Sequence, residues 1–593
     1  MKPQAYESCR RAGKRRWRGV SRVYSAALVT GISLVLAVVA CTQADAQAPS
    51  PRSEEVLGNH IAVQARSWEA HTTPGGQVID PLDAADSGDG YGVILLADVM
   101  LRVAARENDP VLAETGERIV LRAETLPTVT GPFNLLAIAV LLRDGERSYL
   151  PSAVWSRISS SVAALARRVG PEGAHDCLTT AGCYNNWRLV WSAGASALLA
   201  SQAFPGAAVA TGNADAVAGE IAANLRLAAA HVGTRISGSA SGGAARELSD
   251  PGSEPQAYEM FSAVMLELIG EEDPSAMTPA MSRLRDEVDR YALLMMAPDG
   301  QLSFSGRSLD ESWVQAAGVD LGLRRAAGGS AYAPEWRSFA SRASGYLMST
   351  YPTLSDGLGA TVPGLAMEWN RSLVDSYAAF AQYSGLTLWL LSDALAHSSS
   401  SSGAGASLPT DRSSFLLGDV RTSGTVWGRA QGVWWELRGR ATGEDPRLAQ
   451  GLVAVKIRAP DGWRDLLALR PRRYGLSSTW SLTTAAGRTA RPTFARVQGN
   501  GARAVLRGYY EGADGRRIAR VTWTVTATGA GVTLVMTRPR GSELRTTIWV
   551  TDGAPHVATE ATVKRHHCVV TASGSACPET LLWSQGRAEL HLR

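Results

Sequence analysis

The hydrophobic period of this chain changes once, across the Ser/Gly-rich stretch Ser398 to Ser407, and the change demands two different folds in one polypeptide. From about Gly92 to Ala396, apolar residues recur at three- and four-residue intervals, the signature of helices. The clearest runs are Val93–Ala105, Val111–Ala123, Leu135–Leu142, Val154–Ala166, Leu189–Ala200, Ala216–Ala230, Met260–Ile269, Leu284–Met296, Val314–Leu323 and Tyr377–Ala396. Pro, Gly, Asp and Ser clusters separate them. About eleven or twelve helices with no strand runs between them fit repeated helical hairpins. Past the stretch, which reads as a flexible linker over 398–411, the period becomes two. Val433–Arg440, Leu452–Arg458, Arg520–Ala527, Val532–Thr537 and Thr546–Val550 alternate apolar with polar residues. Turn dipeptides Asp461-Gly462, Asn500-Gly501 and Asp514-Gly515 punctuate them, so residues 412–593 are expected to form an antiparallel β-sandwich.

With 593 residues the chain is too long for one core. Its formal charge of +4 comes from the first two dozen residues, where Lys2, Arg10, Arg11, Lys14, Arg15, Arg16, Arg18 and Arg22 gather. Beyond residue 46 the charge is close to neutral, which gives no support for nucleic-acid binding. Four of the 59 basic residues are lysines. This fits a GC-rich bacterial coding sequence and lowers the weight of any single arginine. The basic segment precedes an apolar run, Ala26 to Ala40, too short for a firm membrane span, and residues 1–46 read as an export signal. Ala44-Asp45-Ala46 fits a signal-peptidase site, while Val38-Val39-Ala40-Cys41 resembles a lipobox that would make Cys41 a lipid anchor. Secretion and surface anchoring both stay open. Export agrees with the remaining cysteines, Cys177 with Cys183 and Cys568 with Cys577, two close pairs suited to local disulfides. Zinc at His566-His567-Cys568 and Cys577 is the weaker alternative, since the spacing fits no zinc motif.

Polar residues gather at helix beginnings. Pro132-Phe133-Asn134, Tyr184-Asn185-Asn186-Trp187-Arg188, Tyr258-Glu259, Gly306-Arg307-Ser308 and Asn370-Arg371, ahead of Asp375 and Tyr377, lie about one hairpin apart. Hairpins closing into a ring would bring alternate helix starts to one end, around a common cleft. Two amides, two aromatics and a guanidinium after Cys183 can grip a sugar ring and its carboxylate. Taken singly these residues also have structural readings. Asn185 can be an N-cap; Trp187 and Trp191 can pack one helix face; Tyr258 can be a core tyrosine; Arg307 can cap a carbonyl or pair with Asp310 or Glu311. His71, His175 and His231 are candidate general bases near loops. The acidic loop Asp80 to Asp89 has groups for calcium, sugar hydroxyls or a hydrolytic carboxylate pair, although its spacing does not match an EF-hand. It can equally be a solvated loop that caps the next helix. No Gly-x-Ser-x-Gly, no P-loop and no dinucleotide fingerprint after a strand occurs.

Asn186-Trp187 at a helix start, and Asp299-Gly300 leading into a polar segment, resemble the secreted polysaccharide lyases built as an (α/α) toroid with β-sandwich domains, the broad heparinase and hyaluronate/chondroitin lyase group. Gly306-Arg307-Ser308-Leu309, Asp375-Ser376-Tyr377 and Gln382-Tyr383-Ser384 also resemble an uncharacterised bacterial family related to those lyases. The resemblance implies a toroid over 47–397 and cleavage of an acidic polysaccharide by β-elimination. It places Asn186 and Trp187 on the sugar. In such enzymes a separate Asn or Arg neutralises the uronate carboxylate, and a His or Tyr removes the C5 proton. Asn185 and Arg188 are accordingly expected to meet the carboxylate, and Tyr258 or His175 to move the proton. Tyr184, Asn134, Arg307, Arg371 and Tyr377 are expected to bind substrate. The chain departs from the pattern after Asp299-Gly300, where Gln301-Leu302-Ser303-Phe304 follow without a histidine. The alternatives are a glycoside hydrolase using two of Asp83, Asp86, Asp89, Glu259 and Asp310, or a non-catalytic surface protein binding glycans through a Trp434-Trp435 platform. No cofactor beyond the calcium option is expected, and a monomer is.

Overall fold

The computed structural model describes residues 51–593, except 88–89, 127–128, 130, 170–182, 202–213, 234–235, 237–243, 249–255, 375–378, 399–402, 421–423, 440–449, 469–479, 555 and 586. The expected signal segment, Cys41, His175, Cys177, Asp89, Asp375 and Tyr377 therefore lie outside the described residues. Among those described, no helix is long and apolar enough to cross a membrane.

Among the described residues, twelve α-helices of four or more turns precede the sheets: α1 (Pro51–Ala70), α2 (Tyr91–Glu107), α3 (Pro110–Thr125), α4 (Pro132–Glu146), α5 (Ser152–Val169), α6 (Asn185–Ala200), α7 (Ala214–Ala229), α8 (Gln256–Glu272), α9 (Pro279–Met295), α10 (Ser312–Ala327), α11 (Ala333–Thr350) and α12 (Phe380–Ser398). The even-numbered helices pack in a closed circuit, α2 on α4, α6, α8, α10, α12 and back to α2, and the odd-numbered ones lie outside. This is the expected ring of hairpins. Its logic is visible in composition. Inner helices such as α4 and α10 are buried around nearly their whole circumference, so they have no polar face to turn outward. Outer helices such as α5 bury one stripe, Val154, Ile158, Ser161, Val162, Leu165, Ala166 and Val169. Starts are locally encoded: Asp109 accepts from the N–H groups of Val111 and Leu112 ahead of α3, and Thr278 from Met281 ahead of α9, each with Pro in the first turn. The ring closes where α2 and α12 touch through glycine: a Cβ on Gly385 would stand 1.9 Å from the Gly92 carbonyl oxygen.

The sequence reading gave no run for α1 or α11. Yet Trp336, Phe339, Ala340, Ala343 and Leu347 of α11 are buried at helical spacing, and that stripe is legible once the Ser and Arg residues between them are set aside. The described part of the Ser/Gly segment is tied to this helix. Ala406 donates its N–H to the Pro334 carbonyl at 3.0 Å, Arg337 Nε donates to the Ala404 carbonyl at 3.0 Å, and Arg342 holds Asp411 through two bonds of 2.8 and 3.0 Å. Composition alone reads this stretch as flexible; its backbone contacts dock it.

The end of the ring that holds the C-termini of the inner helices is closed by buried charge. Arg102 of α2 bonds Asp98 and Asp393, each at 3.1 Å, and also Asp144. Arg143 of α4 bonds Asp144 at 2.8 Å and Asp393 at 2.7 Å. Arg324 of α10 bonds Asp320 at 2.8 Å, and Asp393 of α12. Burial raises the Asp320 carboxyl to about 6 despite Arg324. Such a network is worth little beyond an apolar core of the same shape, but losing one member strands charge in a dry interior.

Two antiparallel sheets follow. β3 (Phe415–Asp419), β4 (Thr425–Ala430), β5 (Val433–Arg438), β6 (Gly451–Ala459) and β7 (Gly462–Asp465) form the first in sequential order, after a two-residue ladder of β1 (Ile79–Asp80) and β2 (Ala85–Asp86) within the helical half. The second comprises β8 (Ser481–Thr483), β9 (Thr489–Gly499), β10 (Arg503–Glu511), β11 (Arg517–Thr528), β12 (Gly531–Met536), β13 (Glu543–Thr551), β14 (His556–Thr559), β15 (Thr562–Arg565), β16 (Val569–Thr571), β17 (Gly574–Trp583) and β18 (Ala588–Leu592). Its order is β14-β18-β12-β11-β10-β9-β8-β13-β17-β15, with β16 paired to β17. The five-stranded sheet is the middle layer. β4 and β5 are buried at every position, which hides the alternation that half-buried strands display. Because successive side chains point oppositely, Trp434 packs with Phe304 and Tyr291 from the helical half, whereas Trp435 packs into the core between the sheets. Both are 0% exposed, so the Trp434-Trp435 platform of the glycan-binding alternative is corrected: the pair is structural. Cys568 and Cys577 form a disulfide, and His566 Nε2 meets the Thr580 hydroxyl; the zinc alternative falls with the thiols oxidised. Cys183 is also disulfide-bonded.

Candidate functional site

Five inner-helix first turns, with α12 adding its third and fourth residues, meet in a cleft of about 470 Å³ at the opposite end of the ring from the charged plug. Tyr91 opens α2; Pro132, Phe133 and Asn134 open α4; Asn186 and Trp187 open α6; Tyr258 and Phe261 come from α8, Trp313 from α10, and Gln382, Tyr383 and Leu386 from α12. Tyr184 and Arg307 enter from the loops before α6 and α10. Helix N-termini carry unsatisfied N–H groups and the positive end of the dipole, so their convergence favours an anion.

The floor is aromatic. Phe133 lies 4.8 Å from Tyr91 and 6.1 Å from Phe261, while Trp313 lies 5.6 Å from Phe261, 5.5 Å from Tyr258 and 6.1 Å from Tyr383, all between ring centres. Above it, the Arg307 guanidinium stands 4.9 Å from the Tyr184 ring centre and 5.1 Å from that of Tyr258. Two π faces hold one cation in place. The Tyr258 hydroxyl is 3.3 Å from Ser308 Oγ, which is 3.3 Å from the Tyr383 hydroxyl. Ser308 has φ +56°, a left-handed conformation costly for a side-chain-bearing residue, and it sets Arg307 and Ser308 among the two tyrosines. Burial, with Tyr258 and Glu311 nearby, raises the Tyr91 phenol above the usual range.

The expected site residues divide. Asn134, Tyr184, Asn186, Trp187, Tyr258 and Arg307 all line the cleft. Asn185 and Arg188 do not: both are 0% exposed, and Arg188 Nη1 donates to Asn185 Oδ1 at 2.7 Å. Three residues apart on one helix, they share a face turned into the ring, so the carboxylate contact expected of them is corrected by their burial. Arg371 sits elsewhere, its Nε 3.2 Å from Asp83 and its Nη1 donating to the Val374 carbonyl. Trp191 is core. His71 packs edge-on against Trp68 and faces Asp356 at 3.7 Å.

The acids of the 80–89 loop that are described each have a partner. Asp80 accepts from the Leu82 N–H through Oδ1 and from the Ala381 N–H of α12 through Oδ2; Asp83 meets Arg371; Asp86 meets Arg122. Glu259 accepts the Leu248 N–H at 2.7 Å, and Asp310 lines a different cavity. Among the described residues, no Asp, Glu or His lines the cleft. Tyr91, Trp313, Gln382 and Tyr383 were not anticipated there by the residue reading, although Gln382 and Tyr383 belong to a resembling segment. Gly90 before Tyr91 was the available sign of a helix start.

No family model matches the chain, and no curated protein matches it. Among solved structures it is similar to a mutant chondroitin AC lyase from Streptomyces coelicolor A3 (12% identity, TM-score 0.44, covering 92% of this chain and 80% of that one). It is also similar to an unsaturated glucuronyl hydrolase from Streptococcus agalactiae (10% identity, TM-score 0.38, 58% and 93%) and to a glycoside hydrolase (11% identity, TM-score 0.34, 92% and 95%). At these values the chemistry has to be argued from the cleft itself.

Proposed function

We propose that this protein is an exported polysaccharide lyase that cleaves a uronate-containing polymer by β-elimination in the ring cleft. The observation that carries the reading is the Arg307 guanidinium held between Tyr184 and Tyr258, with the Tyr258 hydroxyl at one end of a Ser308–Tyr383 hydroxyl chain.

The reaction removes the proton at C5, beside the carboxylate. The electron pair of that C–H bond becomes the C4–C5 double bond as the C4–O bond breaks, and the departing oxygen takes up a proton. The barrier is the negative charge that builds on the carboxylate as the proton leaves, and a fixed cation with amide donors offsets it best where water is excluded. Arg307 faces the carboxylate, with Asn134 and Asn186 as amide donors. Tyr258 takes the proton and returns one to the leaving oxygen, and the Ser308–Tyr383 chain gives the phenolic proton a path. Trp187, half-buried at the rim, covers an apolar sugar face. Export is supported by the basic and apolar leader together with the Cys568–Cys577 disulfide.

The test is ultraviolet absorbance of the conjugated product while the mature protein acts on a panel of uronate polysaccharides. Rising absorbance supports elimination. New reducing ends without absorbance would overturn it in favour of hydrolysis.

A further inference from the structure

A second cavity, about 320 Å³, lies where the helical half meets both sheets, and it is built from different chemistry. Asp299 and Asp310 come from the loops around Gly300 to Glu311, Tyr346 from α11, and Trp463 and Asp465 from β7. Lys456 of β6, 0% exposed, lies behind this lining and bonds Asp299 and Asp465, each at 2.6 Å. Asp310 is 3% exposed. Its Oδ1 accepts the Tyr351 hydroxyl at 3.1 Å, and among the described residues its Oδ2 has no hydrogen-bond partner. A carboxylate oxygen at a cavity surface takes a donor from whatever fills it.

The occupant is constrained by charge and shape. Lys456 bridges Asp299 and Asp465 and offsets one of their two charges, and burial raises the Asp310 carboxyl to about 7, so the wall repels an anion and presents hydrogen-bond acceptors suited to hydroxyl donors. The three carboxylates do not bring an oxygen each within 4.8 Å of one another, so they do not form a metal cage. Trp463, whose ring centre lies 5.0 Å from the Arg429 guanidinium, adds half-buried aromatic surface to the lining, which suits the apolar face of a ring whose edges carry hydroxyls. The volume admits one such ring. We infer that this junction cavity is a binding site for a neutral, hydroxyl-rich ring, a single sugar unit, distinct from the cleft. The segment from Gly306 to Asp310 borders both: Arg307 and Ser308 serve the cleft, and Asp310 the junction cavity.

The experiment is calorimetric titration of the full mature protein with glucose, galactose and N-acetylglucosamine, alongside the variants Trp463→Ala, Asp310→Asn and, as the cleft control, Trp187→Ala. Saturable binding of at least one sugar is expected, weakened tenfold or more by Trp463→Ala or Asp310→Asn and unchanged by Trp187→Ala. Thermal unfolding of each variant checks that the fold survives, and Trp463, on a surface strand, serves where Asp310→Asn does not fold. Absence of binding to all three sugars overturns the inference. So does binding that is lost in Trp187→Ala, which would place the sugar in the cleft. Neither outcome bears on elimination, which the absorbance assay reads separately.

Discussion

The guanidinium of Arg307 lies 5.1 Å from the ring centre of Tyr258, and one residue later Ser308 reaches the hydroxyl of the same tyrosine. One loop thus places a cation at the face of the phenol and a hydroxyl at its polar end, which is the pairing an elimination needs.

Removing the phenolic oxygen alone tests that pairing. Tyr258→Phe is expected to lower kcat for elimination by about 10²–10⁴-fold, the usual contribution of a positioned acid–base group. The ring remains to pack against Trp313, so substrate binding should be retained. Steady-state kinetics would show it, and a fully active variant would end the assignment.

Arg307 is expected to act through fixed charge and flatness. Arg307→Ala should cost about 10²–10³-fold in kcat, in the range seen for losing one preorganised donor. Arg307→Lys should recover only part of this, because a flexible ammonium does not stack between two rings as a planar guanidinium does. Equal activity of the Lys and Arg enzymes would argue that the stacking is incidental.

At the other end of the ring, Asp393 joins Arg102, Arg143 and Arg324. Asp393→Ala leaves those buried cations short of a counter-charge and is expected to cost about 3–5 kcal/mol. Chemical denaturation would read the loss, and a shift under 1 kcal/mol, on the order of a surface pair, would mean the plug relaxes.

The α2–α12 contact has no room for a methyl group. Gly385→Ala gains up to about 1 kcal/mol of helix propensity, but its Cβ would stand 1.9 Å from the Gly92 carbonyl oxygen. Overpacking of this kind typically costs about 1–3 kcal/mol, so net destabilisation is expected. An unchanged or higher Tm would show that the two helices can separate freely.

Asp310 makes a pH prediction. Burial holds its carboxyl near 7 in the folded protein, against 3.8 for the free group. Between those values the native state binds the proton that the unfolded state has released, so stability falls as pH rises through this window. Asp310→Asn removes this contribution while keeping an oxygen for Tyr351. The Tm of the variant relative to wild type should therefore climb from about pH 4 to about pH 7, a window set by the two pKa values. A difference flat across that range would show that the group titrates normally.

The change of period at residue 398 determined the two halves, and the recurrence of polar clusters at helix starts marked eight of the residues now in the cleft. Those signals are local: a helix that is apolar all round must be surrounded, and a rigid hairpin repeat returns alternate helix starts to the same end. Local sequence left Asn185 and Asn186 equivalent, since each amide opens the same helix. The ring separated them. A residue turns about 100° from its neighbour along a helix, so packing α6 against α4 and α8 sent Asn185 and Arg188 inward and left Asn186 and Trp187 at the cleft. In the same way β5 came to lie in the middle layer of three, and Trp434 and Trp435 lost both solvent faces to neighbours that lie far away along the chain. The chain alone specified most of its helices and the chemistry at their starts; only the closing of the ring and the stacking of the sheets decided which of those groups meet.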